Sequence, residues 1–224
     1  MDKRRHIALA IPHTDRTLEM DFQTLSAGLV IHTHRMWLED VSGEAERLMV
    51  SEEFPKALKS LQDAGPYSCA VFGCTSASVA QGRKGMERIE AEMSRVLSCP
   101  AISAFGTVLR QIERMQAKTI AVLTPYIDEV NQFFQEAMEQ FDVEVSFING
   151  MGLLRDQEIA AVQPEEILAF AQREKACIPS TAELCFFSCT NFRAAEICKE
   201  LSQVLGMPVI TTNQCIIDHV SRAD

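Results

Sequence analysis

One string of elements occurs twice in this chain, and that repetition constrains the fold more than any other feature. Ile7-Ala8-Leu9-Ala10-Ile11-Pro12 matches Ile120-Ala121-Val122-Leu123-Thr124-Pro125 at an offset of 113 residues. Cys74-Thr75 matches Cys189-Thr190 at an offset of 115, and Cys99-Pro100-Ala101-Ile102 matches Met207-Pro208-Val209-Ile210 at an offset of 108. Three matches in one order, separated by offsets that a few loop insertions explain, indicate an internal duplication.

Within each copy, short apolar runs alternate with longer segments of helical period. That is the pattern of a parallel sheet with crossover helices, so the expected class is α/β. Strands are expected at residues 6–11, 67–72, 100–104, 119–123, 143–148, 184–188 and 208–211. Helices are expected at 17–29, 45–63, 81–97, 108–115, 127–140, 164–173 and 194–205. Residues 30–33 can begin a further strand, although His32 and His34, near Trp37, also fit a helix as surface or packing residues. The expected organisation is two pseudo-symmetric half-domains, each a small parallel sheet flanked by helices. Residues 1–104 with 209–224 form the first and 105–208 the second.

At 224 residues and 47% hydrophobic content the chain can bury a sizeable core, and no low-complexity run marks a linker. A formal net charge of −10, with no basic patch, opposes nucleic-acid binding. Lys3, Arg4 and Arg5 precede an apolar run, but Pro12, His13 and Asp15 interrupt it before signal or membrane length, so a cytoplasmic, non-membrane protein is expected. The eight cysteines are therefore read as reduced thiols rather than disulfides. Cys69/Cys74 and Cys185/Cys189 are spaced too widely for a CxxC metal site, and the histidines do not cluster with them, so no metal is expected.

In parallel sheets ligands bind beyond the carboxyl ends of the strands, and Pro12, Cys74, Pro125 and Cys189 all stand at such ends. Each cysteine is expected to open a helix, whose free N–H groups would lower its thiol pKa. Thr75, Ser76 and Ser78, and likewise Thr190 and Asn191, can cap those helices or donate to a carboxylate. A pseudo-twofold pair of thiols suits proton exchange on both faces of one carbon, as in a racemase. A thiolate also adds to an electron-poor double bond, as an isomerase requires. Cys69, Cys99, Cys177, Cys185, Cys198 and Cys215 are read as small core residues.

Gly73-Cys74-Thr75-Ser76, Ser188-Cys189-Thr190-Asn191, Thr124-Pro125-Tyr126, Pro12 and the run from Gln157-Glu158-Ile159 to Pro164-Glu165-Glu166-Ile167 together resemble the aspartate/glutamate racemase superfamily. The resemblance covers nearly the whole chain and is to the branch of maleate cis-trans isomerases and arylmalonate decarboxylases. It implies an active site between two α/β halves, no metal, no organic cofactor, a small carboxylate substrate, and a homo-oligomer of two or more chains. It further implies Cys74 as the nucleophile that adds to an alkene and Cys189 as the thiol that exchanges a proton at the neighbouring carbon. Thr75, Ser76, Tyr126 and Thr190 match positions that bind substrate carboxylates. The decarboxylases resemble the pattern with glycine in place of the first cysteine, so Cys74 disfavours simple decarboxylation.

Two positions depart from the resemblance. Asp15 and Asp156 stand where maleate isomerases resemble asparagine. An ionised aspartate only accepts hydrogen bonds and repels a second carboxylate. Facing the substrate, the pair would suit an ammonium, amidine or amide donor, hence a two-base racemase of an amino acid or cyclic nitrogen derivative. Facing away, Asp15 caps the following helix and Asp156 orders a loop. A small-molecule binding protein on the same scaffold is the non-enzymatic alternative.

Overall fold

Parallel strands need long crossovers, and this chain supplies helices for them. The computed structural model describes Arg4–Arg222; Lys3 and the extreme ends of the expected first half-domain lie outside the described residues. Strands β1 (Arg5–Pro12), β2 (Leu29–Met36), β3 (Cys69–Phe72) and β4 (Ala101–Ser103) form one sheet in the order β2-β1-β3-β4. Strands β5 (Thr119–Tyr126), β6 (Glu144–Leu153), β7 (Leu184–Phe187) and β8 (Val209–Thr211) form a second in the order β6-β5-β7-β8. All pairings are parallel, and the two sheets share one topology, as a duplication requires.

The first half carries α1 (Leu18–Leu25), α2 (Gly43–Leu48), α3 (Phe54–Gln62), α4 (Thr75–Ala80) and α5 (Gly82–Leu97). Helix α6 (Ala104–Met115) leads into the second, which adds α7 (Asp128–Glu139), α8 (Asp156–Ala161), α9 (Pro164–Glu174), α10 (Cys198–Leu205) and the closing α11 (Thr212–Arg222). No helix among the described residues is long and apolar enough to cross a membrane.

Strand alternation sorts the core. In β1, Ala8 and Ala10 pack with Met36, Phe54 and Phe72 on one face. Ile7, Leu9 and Ile11 pack on the other with Ile216, Ile217 and Val220 of α11. Conversely, Phe105, Val108 and Ile112 of α6 pack with Ile120, Val122 and Phe186 of the second sheet. The helix that follows the last strand of each sheet thus covers the other sheet. Val209–Thr211 hydrogen-bonds to β7, so by strand pairing these residues go with the second sheet, although the expected division assigned them to the first half-domain.

Several local expectations change. His32 and His34 lie on β2 rather than a helix, opposite Ala8 and Ala10, and the His6 and His32 rings stack with a 2.8 Å hydrogen bond between Nδ1 and Nε2. The expected helix at 45–63 divides into α2, a π-helical segment at Met49–Glu53 and α3. Pro55 in the first turn of α3 lacks an N–H, and the widened π-helical segment accommodates that lost bond. The expected helix at 194–205 begins only as a 3-10 turn at Ala195–Ile197. Among the six cysteines read as core, Cys177 is exposed and Cys198 half-buried, while the other four are buried.

Gly73 joins β3 to the first cysteine, and a Cβ there would lie 2.7 Å from Ile11 Cγ2 and 2.9 Å from Leu18 Cδ2. Both neighbours are fully buried and cannot retreat into solvent. Gly73→Ala is expected to destabilise the fold by about 1–3 kcal/mol, the usual cost of overpacking. Urea unfolding should show a lower midpoint with unchanged slope.

Candidate functional site

The carboxyl ends of β3 and β7 deliver Cys74 and Cys189 to the seam between the two sheets. Cys74 is the N-cap residue of α4, as expected, with its thiol 3.7 Å from the Ser76 hydroxyl. Cys189 differs. No helix starts there, and its φ of +102° turns the chain sharply into Thr190 and Asn191. Its sulfur instead accepts from the Asn191 backbone N–H at 3.3 Å, so a single amide replaces the expected helix terminus.

Polar bonds across the seam hold this turn in place. Thr190 Oγ1 donates to the Gly73 carbonyl at 3.4 Å. The Asn191 carboxamide accepts from Arg16 N at 2.9 Å and donates to the carbonyls of Thr14 at 3.3 Å and Asp156 at 3.1 Å. Asn213 Nδ2 donates to Asp21 Oδ2 at 2.7 Å and to the Thr190 carbonyl at 2.8 Å, and Thr75 bonds Thr212. Tyr126 is buried at the end of β5, its hydroxyl 3.5 Å from Ser188 Oγ and acting on the Cys189 thiol. Pro12 ends β1, and its carbonyl accepts from Asp15 N at 3.1 Å.

Asp15 takes the capping role weighed for it. One oxygen, Oδ1, accepts from Thr17 N and Leu18 N at 3.0 Å each and starts α1, whereas Oδ2 is buried with no partner within 3.5 Å, the Thr190 hydroxyl acting on the carboxyl from beyond that distance. Asp156, the first residue of α8, accepts from the Thr14 hydroxyl, and its charge acts on Asp15 and on both thiols. Burial, reinforced by Asp156, pushes the Asp15 carboxyl up to about 7. Burial raises Asp156 too, against hydrogen bonds from Thr14 and Asn191.

A third acid joins them that the sequence reading did not single out. Glu46 on α2 is buried, its Oε1 has no hydrogen-bond partner, and its charge acts on Cys74. Burial raises its carboxyl to about 8, opposed by a hydrogen bond from Ser76 and assisted by Asp156. Glu46 sits in a charged run that reads as a solvated face. The one sign against that reading is its spacing of three from Gly43 and from Met49, both buried.

Burial, with these acids, reverses the expected thiol chemistry. Burial pushes Cys74 and Cys189 up rather than down; Glu46 adds to the effect at Cys74, Asp156 and Asp15 at Cys189. No lysine, arginine or histidine is buried among the described residues to offset them. The resting state at neutral pH therefore holds protonated thiols, and a thiolate forms only with a proton acceptor at hand. No group of three or more His, Cys, Asp or Glu among the described residues has metal-binding geometry.

Comparison with known proteins agrees with this architecture. A curated maleate isomerase of Geobacillus stearothermophilus is 21% identical over 94% of this chain and 88% of its own. A solved mutant of Nocardia farcinica maleate cis-trans isomerase, with a covalently bound succinylcysteine intermediate, superposes with a TM-score of 0.89 at 18% identity, covering 98% of this chain and 92% of that one. The Pseudomonas putida maleate isomerase also reaches 0.89, at 17% identity, covering 99% and 93%. The arylmalonate decarboxylase family model matches residues 7–222, so the chain belongs to the arylmalonate decarboxylase family.

Proposed function

We infer that this protein is a cofactor-independent two-cysteine isomerase acting on a small carboxylate. The observation that carries the reading is the pair of buried thiols at equivalent strand ends of two duplicated sheets, under the charge of one shared acid, Asp156. The succinylcysteine named for the Nocardia structure supports covalent addition by one cysteine of such a pair. Cys74 adds to the alkene carbon, the π electrons move to the carbon beside the carboxylate, and Cys189 supplies a proton there. Rotation about the resulting single bond, return of the proton and expulsion of Cys74 release the other geometric isomer. Thr75, Thr190 and Tyr126 offer hydroxyl donors to the substrate carboxylate.

A two-base racemase is the second reading, favoured by the unpartnered Asp15 Oδ2. That acceptor suits an N–H of an amino acid or cyclic nitrogen compound better than the second carboxylate of maleate.

Incubation with maleate should yield fumarate, and Cys189→Ser should accumulate a thioether on Cys74 visible by mass spectrometry. Absence of both product and adduct would sink the maleate reading. Asp15→Asn keeps the Oδ1 cap while turning Oδ2 into a donor; combined with Asp156→Asn it should raise kcat/KM for maleate about tenfold or more, the effect of removing roughly 1.4 kcal/mol of repulsion. An unchanged or lower value would mean that these acids do not face the substrate carboxylates. For the racemase, solvent deuterium should enter a candidate amino acid or cyclic amide at the carbon beside its carbonyl. Equal exchange of both enantiomers by Cys74→Ala would rule out a two-base mechanism.

A further inference from the structure

We propose that Glu46 is the proton acceptor that turns the Cys74 thiol into a nucleophile, with Ser76 as the relay between them. The inference rests on the reading of Cys74 as the adding thiol. Ser76 Oγ lies 3.7 Å from Cys74 Sγ, Glu46 Oε1 is buried without a partner, and α2 packs against α4, which brings the Ser76 hydroxyl to act on the Glu46 carboxyl. Carboxyl, hydroxyl and thiol thus form one buried chain from α2 to α4.

Its energetics make little sense as structure. Glu46 occupies the buried face of α2 in line with Met49, where an apolar side chain would pack without leaving an orphaned oxygen. The charged groups around it are Asp156 and Asp40, which oppose its ionisation, and Arg47, which is exposed on its own helix and favours it. Helix α4, packed against α2, contributes no titratable side chain beyond its capping residue Cys74. A buried acid left short of counter-charge is a poor structural element and a good base, because its raised carboxyl titrates near working pH.

The step balances. As the Cys74 sulfur bonds the electrophilic carbon, the S–H bond breaks and its proton passes to Ser76 Oγ. The Ser76 proton passes to Glu46, and the alkene π pair moves to the carbon beside the carboxylate. On expulsion of the sulfur each proton returns along the same path.

Iodoacetamide labelling of the full chain, read separately at Cys74 and Cys189 by mass spectrometry between pH 6 and 10, tests this without any substrate. Cys189 normalises for opening of the seam. Wild-type labelling at Cys74 should rise through an inflection near pH 8, where Glu46 ionises. In Glu46→Gln the inflection should vanish and labelling at pH 8 should fall about tenfold or more relative to Cys189. Glu46→Asp, which keeps the acid, should recover part of both. If Glu46 merely repels the thiolate, Glu46→Gln will label Cys74 as fast as wild type or faster. If it only packs, Glu46→Asp will be the worse of the two variants. Either result overturns the proposal alone. A Cys74 that resists labelling in wild type at every pH overturns the nucleophile reading and this proposal with it.

Discussion

The carboxamide of Asn191 is the tie on which the seam depends. One planar group accepts from the backbone after β1 and donates to the backbone there and at the start of α8, so three segments from two sheets meet at one side chain. The same residue's amide N–H supports the Cys189 sulfur. An ester or a carboxylate could not do this, because only a carboxamide offers both an acceptor and a two-proton donor. The strained turn at Cys189 is held because these bonds, with those of Thr190 and Asn213, over-determine it.

Around that tie the protein concentrates acids rather than cations. The charges of Asp15, Glu46 and Asp156 act on the thiols, and no cation is among the buried side chains of the described residues. Burying carboxyls without full partners opposes their ionisation, and the neighbouring charges push the thiols the same way. The site therefore favours protonated thiols, in contrast to sites that stabilise a standing thiolate at a helix terminus.

How much of this was legible in the sequence follows from which forces are periodic. The duplication, the parallel sheets and the strand-end position of both cysteines could be read because β1, β3, β5 and β7 are continuous apolar runs, the signature of strands covered on both faces. The roles of Asp15 and Asp156 were legible only as two alternatives, since a cap and a ligand use the same residue types. The turn at Cys189 was missed because a left-handed φ there carries no glycine to mark it. Glu46 was missed because amphipathic periodicity assigns an acid to water, and only the tertiary contact between α2 and α4 reverses that. The direction of the thiol shifts was lost with it, for burial outweighs any local helix effect.

The exchanged helices bear on the protein's past. Since α6 covers the second sheet and α11 the first, neither repeat, cut from the other, would keep its own sheet fully clothed. A single-repeat ancestor could have protected its apolar faces by trading terminal helices with a second copy of itself. In such a pair the seam would already have held two identical cysteines related by a true twofold axis. The two repeats present their cysteines differently, Cys74 at a helix cap and Cys189 in a strained turn.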